Sequence, residues 1–153
     1  MKKITPFLWF DAPVEKVMKF YCSIFKDSKI IHVRRAGKKV STAIFRLHGQ
    51  DFMILNGGPH FKFTPAVSFF VDCKDQAEVD RLWTALSRGG EKSHCGWLKD
   101  KYGLSWQIIP SILMRLLADP DRVKADRVWQ AMLQMSKIDI KTLQAAYAGK
   151  TQS

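Results

Sequence analysis

Hydrophobic and polar positions along the chain change period twice in each half. Ile4 to Phe10 ("ITPFLWF") is a short apolar run that reads as a strand. From about Ala12 to Phe25 the apolar residues Val14, Val17, Met18, Tyr21 and Phe25 recur at helical spacing, which predicts a helix with one buried stripe. Asp11 is the expected N-cap, and Pro13 falls in the first turn, where its missing N–H costs nothing. Three strands are expected next, at Ile30–Arg34, Val40–Leu47 and Phe52–Leu55. In the middle one Ala43, Phe45 and Leu47 alternate with Thr42, Ile44 and Arg46, so the two sets line opposite faces.

The second half repeats this order. "AVSFFVDC" reads as a strand ending at Asp72, and Val79, Leu82, Trp83 and Leu86 mark a helix that Gly89-Gly90 should stop with a left-handed C-cap. A strand around Glu91–Leu98 and a last strand at Leu104–Ile109 follow. Setting Gly49 on Gly103 aligns "GQDFMIL" with "GLSWQII", and Phe10-Asp11 falls on Val71-Asp72. The pattern is a tandem β-α-β-β-β duplication of α+β class, with one strand of the second copy short or irregular. The expected organisation is a single domain over 1–153, with units at 1–58 and 62–110 and a helical extension at 111–148. In that extension "SILMRLLA" is a short helix, Asp119-Pro120 starts another that runs to about Met135, and "DIKTLQAAYAG" is a third. Val128, Trp129 and Met132 supply a buried face, which is expected to cover the sheet or a partner subunit.

Composition narrows the function classes. The 153 residues are the size of one domain, and 46% hydrophobic with 25% charged is ordinary for a soluble globular protein. The start "MKKITPFLWFDAPVEK" opens like a signal peptide, but its apolar stretch is broken by Pro6 and stops at Asp11, so it is read as the first strand. No apolar run approaches the roughly 20 residues needed to span a bilayer, so no membrane association is expected. Cys22, Cys73 and Cys95 show no C-x-x-C spacing and fit reduced thiols in a cytoplasm. The net charge of +11 has its densest group in Arg34, Arg35, Lys38 and Lys39 around Gly37, read as a hairpin rim. With no nucleic-acid-binding motif beside them, they read as a solvated surface, and no nucleic-acid partner is expected.

Paired β-α-β-β-β units resemble the vicinal oxygen chelate fold of glyoxalase I, bleomycin-resistance proteins and extradiol dioxygenases. "ITPFLWFD", "FYCSIF", "NGGPHFKF", "VSFFVDCKDQAEVDRLW", "CGWLKDKYGLSWQIIP", "LLADPD" and "AMLQMSKIDI" are similar to one branch, the 3-demethylubiquinone-9 3-methyltransferase-like family. The resemblance implies that label's activity on a quinone-like substrate as one reading. Yet the nine glycines form no G-x-G turn of the kind that lets a backbone approach S-adenosylmethionine, and no cofactor is expected.

The resemblance also implies where a metal would sit in metal-dependent members: one ligand from the first and one from the last strand of each half. Those positions are Ile4 (or Pro6 if a two-residue gap is placed differently), Met53, Ala66 and Gln107. Only Gln107 carries an oxygen, and a neutral amide is a poor ligand, so no metal is expected. Neither His60 nor His94 has a second donor at ligand spacing. The implied cavity in the cupped sheet is then apolar, with Met53 and Gln107 as equivalent floors and Asn56, His60 and Trp97 as a polar and aromatic rim. Such a lining suits a small apolar or aromatic molecule, uncharged in at least one cavity. The alternative is an enzyme on an aromatic substrate with His60, or else His94 or Tyr102, as acid/base group. A homodimer is expected, with Trp129 and Met132 as candidate contacts.

Overall fold

The computed structural model describes residues 2–150, and the chain divides into two compact units at Lys62/Phe63. The first contains β1 (Phe7–Phe10), α1 (Val14–Ile24), β2 (Ser28–Ala36), β3 (Lys39–Leu47) and β4 (Gln50–Asn56). Its sheet runs β1-β4-β3-β2, with β1 parallel to β4 and the other pairs antiparallel. The second contains β5 (Ser68–Cys73), α2 (Gln76–Ser87), β6 (Glu91–Lys92), β7 (Trp97–Lys99) and β8 (Ser105–Pro110), in the matching order β5-β8-β7-β6. After β8 come α3 (Ser111–Leu117), α4 (Arg122–Leu133) and α5 (Ile140–Tyr147). The fold is α+β, built from tandem β-α-β-β-β units, as the hydrophobic pattern indicates.

In the first unit the expected stripe of Val14, Val17, Met18, Tyr21 and Phe25 is buried, and it meets Ala43, Phe45, Leu47, Phe52 and Ile54 on one sheet face. The Tyr21 and Phe45 rings lie nearly parallel with centroids 6.2 Å apart, and Phe45 stacks on Phe52 at 5.7 Å. Helix α1 begins later than the sequence suggests. Pro13, not Asp11, occupies the N-cap position, with no side-chain cap; its carbonyl accepts from the N–H groups of Lys16 and Val17. Strand β1 is also shorter than expected. Ile4 is 88% exposed, and Pro6 lies just outside the strand, lending its carbonyl to the Met53 N–H at 2.9 Å.

In the second unit Val79, Leu82, Trp83 and Leu86 are buried as expected. Asp75 caps the helix by accepting from the Glu78 N–H at 2.9 Å. Gly89 takes the left-handed φ expected at the stop, but the cap residue before it, Arg88, is extended. Arg88 (φ −64°, ψ 118°) and Gly89 (φ +74°) make the central pair of a type II turn, closed by the Gly90 N–H to the Ser87 carbonyl at 3.0 Å. Asp100, buried in the β7–β8 turn, accepts from the N–H groups of Tyr102 and Leu104 and from the Trp106 indole, at 2.8–3.1 Å. A buried carboxylate is tolerated there because its acceptor sites are filled.

The strand expected at Glu91–Leu98 is broken at Ser93–Gly96, and the break holds the helical tail. Cys95 (φ +56°) and Gly96 (φ +81°) turn their N–H groups toward the carbonyls of Met135 and Ser136, each at 2.8 Å. Ser136 donates its hydroxyl to the Ser93 carbonyl. Gln76 bonds the tail twice, donating to the Ile138 carbonyl and accepting from the Ile140 N–H, and Lys137 pairs with Asp80. An apolar cluster of Ile109, Leu113, Val128, Met132, Met135, Ile138 and Leu143 lies under these bonds. Trp129, expected on that buried face, is 47% exposed, because it sits one position off the Ala125–Val128–Met132 stripe. Asp121 caps α4 where Asp119 was expected to begin it; Asp119 accepts instead from the Tyr147 hydroxyl.

Burial pushes the Cys73 thiol up to about 12, helped by the charges of Glu78 and Asp72, so it stays protonated and inert at neutral pH. A Cβ at Gly96 would lie 2.6 Å from Ile109 Cδ1 and 2.9 Å from the Ile108 carbonyl, on a backbone that side chains rarely adopt. Gly96→Ala is therefore expected to cost about 1–3 kcal/mol in urea unfolding. It should also speed protease cleavage within α3–α5. Unchanged cleavage would separate the tail from this anchor.

Candidate functional site

In each unit one sheet face is covered by its helix, and the candidate site is the opposite face. On the second sheet that face carries Ser68, Phe70 and Asp72 from β5 and Ser105, Gln107 and Ile109 from β8. Gln107 is the register partner of Phe70 on one side and of Trp97 on the other, so its amide lies between two aromatic side chains. Its Nε2 donates to the Ser68 hydroxyl at 2.9 Å, which orients the amide and leaves its carbonyl oxygen available. Phe70 is 49% exposed and Trp97 half-buried. Ile109, two residues beyond Gln107, is buried in the tail cluster, so the tail closes this face at the end of β8. Asp72 at the same end accepts from the Ser111 hydroxyl.

On the first sheet the equivalent position is Met53, whose partners are Phe7 and Ile44. Trp9 pairs with Leu55 on the same face. Its indole N–H donates to the Gly58 carbonyl at 2.9 Å, and the Phe61 ring meets it edge-on at 5.0 Å. Gly57 packs so closely that a Cβ there would overlap the Trp9 ring. The Gly57–Phe61 segment is thus folded over Trp9. Arg46 makes two bonds to Asp51, at 2.6 and 3.2 Å, on the same face. The Arg46 guanidinium, together with the Lys2 backbone N–H, holds the Asp51 carboxyl below its ordinary value of 3.8.

The structure joins Gln107 and Trp97 directly and gives Met53 an apolar setting. Asn56 is exposed at the end of β4, where its side-chain oxygen accepts from the Gly58 N–H, and His60 is exposed in the segment that follows. His94 lies in the bend at the strand break, also exposed. Tyr102 has its hydroxyl pKa raised, by burial first and then by Asp100, which disfavours its use as a base.

Sequence reasoning missed Phe7, Trp9, Ser68 and Phe70, because it aligned the halves on Asp11 and Asp72. Strand register instead matches Phe7 with Phe70 and Phe10 with Cys73, two residues further on. Ala66, an implied ligand position, is exposed in the turn before β5. Among the described residues no three His, Cys, Asp or Glu side chains come together as a metal site. One neutral amide beside a serine and two aromatics does not fit a divalent ion.

A family model described as 3-demethylubiquinone-9 3-methyltransferase matches residues 2–109, so the match stops where the tail begins. The chain is 35% identical to the PhnB protein from Bacillus cereus, with a TM-score of 0.67 over 71% of this chain and 99% of that one. Protein PA1353 from Pseudomonas aeruginosa is 17% identical, with a TM-score of 0.61 over 72% and 98% of the two chains. The fosfomycin resistance protein FosX from Listeria monocytogenes, complexed with Mn(II) and sulfate, shares the fold at 17% identity and a TM-score of 0.51, over 69% and 90%. No curated protein matches the chain.

The lowered Asp51 pKa makes a signed prediction. Its contribution to stability is complete above the unfolded value and is lost as pH falls through the folded one. Asp51→Asn should lower the melting temperature at pH 7, and the gap to wild type should narrow as pH falls below the unfolded carboxyl value of about 4. A gap that stays constant on scanning calorimetry would show that the ion pair is not what Asp51 contributes.

Proposed function

This chain belongs to the 3-demethylubiquinone-9 3-methyltransferase family and has the vicinal oxygen chelate fold, and from that premise we propose that it is a metal-free binding protein for a small apolar or aromatic molecule. The observation that carries the reading is Gln107, set between Phe70 and Trp97 and oriented by Ser68. Two aromatic faces supply packing for a flat ligand, and the amide carbonyl supplies one acceptor for its orientation. Met53, with Phe7 and Ile44, offers the first unit an equivalent floor. Asn56 and His60 belong to the rim on this reading. Methyl transfer is not part of it, since the glycine pattern lacks the turn that S-adenosylmethionine binding commonly uses.

The working form is a homodimer in the cytoplasm. Three unpaired cysteines support a reducing compartment. Among the described residues no helix is long and apolar enough to cross a membrane. Met132 is taken up by the tail's own core, which leaves exposed Trp129 as the candidate subunit contact.

Two measurements test these statements. 1-Naphthol, uncharged and carrying one hydroxyl donor, should bind with quenching of tryptophan fluorescence, and exhaustive chelation should not change its affinity. Gln107→Leu should weaken it by about 1–2 kcal/mol, roughly tenfold, while leaving naphthalene unaffected. No binding of either compound, or binding lost with a removed metal, would overturn the proposal. In sedimentation at micromolar concentration the wild type should be a dimer, and Trp129→Ser should shift it toward monomer.

A further inference from the structure

The two free faces hold Met53 and Gln107 at equivalent floor positions, and their outer edges differ in charge. On the second sheet the outer strand β6 is two residues long, and its Glu91, register partner of Lys99, forms an ion pair with it at 3.1 Å. On the first sheet the outer strand β2 is nine residues long and cationic. Lys29 pairs in register with Arg46, His32 with Ile44, and Arg34 with Thr42. Thr42, Ile44 and Arg46 alternate with buried Ala43, Phe45 and Leu47, so their β2 partners Lys29, His32 and Arg34 point away from α1, toward the Met53 side.

Lys29 opposite Arg46 is a like-charge pair, an arrangement that disfavours the bare sheet. Asp51, with Asp27 at longer range, acts on Arg46. Lys29, His32 and Arg34 have no ion-pair partner among the described residues. Twelve of the 25 lysines and arginines, but only four of the 14 acids, lie up to Lys62. Of those four, Asp51 is engaged by Arg46, and Glu15 accepts from the Val40 N–H at 3.0 Å.

The face therefore has two poles. Phe7, Trp9, Met53 and Leu55 make an apolar region on β1 and β4, and the cations stand on β2, two strands from β4, or about 10 Å away. We infer that the ligand of the first unit is an apolar or aromatic molecule bearing an anionic group, a carboxylate, sulfonate or phosphate, which the β2 row receives while the apolar part lies on Met53. This rests on the binding function proposed above and adds the charge of the ligand. The second unit, with its outer edge neutralised by Glu91 and Lys99, keeps the uncharged one.

A matched pair of fluorescent probes tests it: 8-anilinonaphthalene-1-sulfonate and N-phenyl-1-naphthylamine, which share the ring system and differ by the sulfonate. The wild type should bind the sulfonate about fivefold more tightly, as two partly exposed charge pairs allow. Lys29→Gln with Arg34→Gln should abolish that preference and leave the uncharged probe's affinity unchanged. Lys38→Gln with Lys39→Gln, an equal loss of charge at the hairpin tip, should preserve it. Equal affinity for both probes in wild type, or an equal loss in both double variants, would overturn the charge inference while leaving apolar binding intact. Failure of both probes to bind would overturn the underlying binding function as well.

Discussion

Parallel pairing of the first and last strand is the constraint on which each unit depends. Phe7 beside Met53, and Phe70 beside Gln107, can be joined in parallel only through a crossover long enough to return the chain to the same end of the sheet. Each crossover here includes one helix, α1 or α2, and that helix lies across one face of its sheet. The intervening strands then add antiparallel outward from the last strand. One face becomes core, and the other is left to side chains at alternate positions. Gln107 and Met53 are on that second face because of their register alone.

The duplication preserved this frame while changing what it carries. Gly49 and Gly103 both hold a positive φ before β4 and β8, and Phe52 and Trp106, then Ile54 and Ile108, fill the helix side in both copies. On the free side the copies diverge: a methionine between a phenylalanine and an isoleucine, against an amide between two aromatics. The outer strands diverge further. The first is long, cationic and unpaired by acids on its free face; the second is reduced to two residues.

That reduction has a use. Where the second copy gives up strand at Ser93–Gly96, the released backbone donors bind Met135 and Ser136, and the tail is docked by them. A non-glycine residue at φ +56° costs of order 1 kcal/mol, which paired backbone bonds and the burial of Ile138 can offset. The family match ends at Ile109, the residue whose side chain enters the tail's apolar cluster. The helices beyond it lie outside that match and are seated on an irregularity in the sheet.

Local pattern was enough to determine the strand–helix–strand order, the α1 and α2 stripes, the repeat and the equivalence of Met53 with Gln107. Each of these follows from periods of 2 and 3.6 that any packed sheet or helix imposes. The pattern also indicated that a strand of the second copy is irregular. It could not show why, because the donors at Cys95 and Gly96 are satisfied some 40 residues further along the chain. Nor could it place Ser68 and Phe70 beside Gln107, since parallel register is set by contacts across the crossover and a shared aspartate pointed two residues away. Trp129 has the spacing of a core residue and lies outside the core, because only the packed angle of α4 decides which neighbouring position of a stripe is covered. The cationic row on β2 is visible in composition as scattered lysines and arginines. Pairing with β3 alone brings Lys29, His32 and Arg34 onto one face, because a bulge between Ile30 and His32 shifts the alternation that a sequence reader would count.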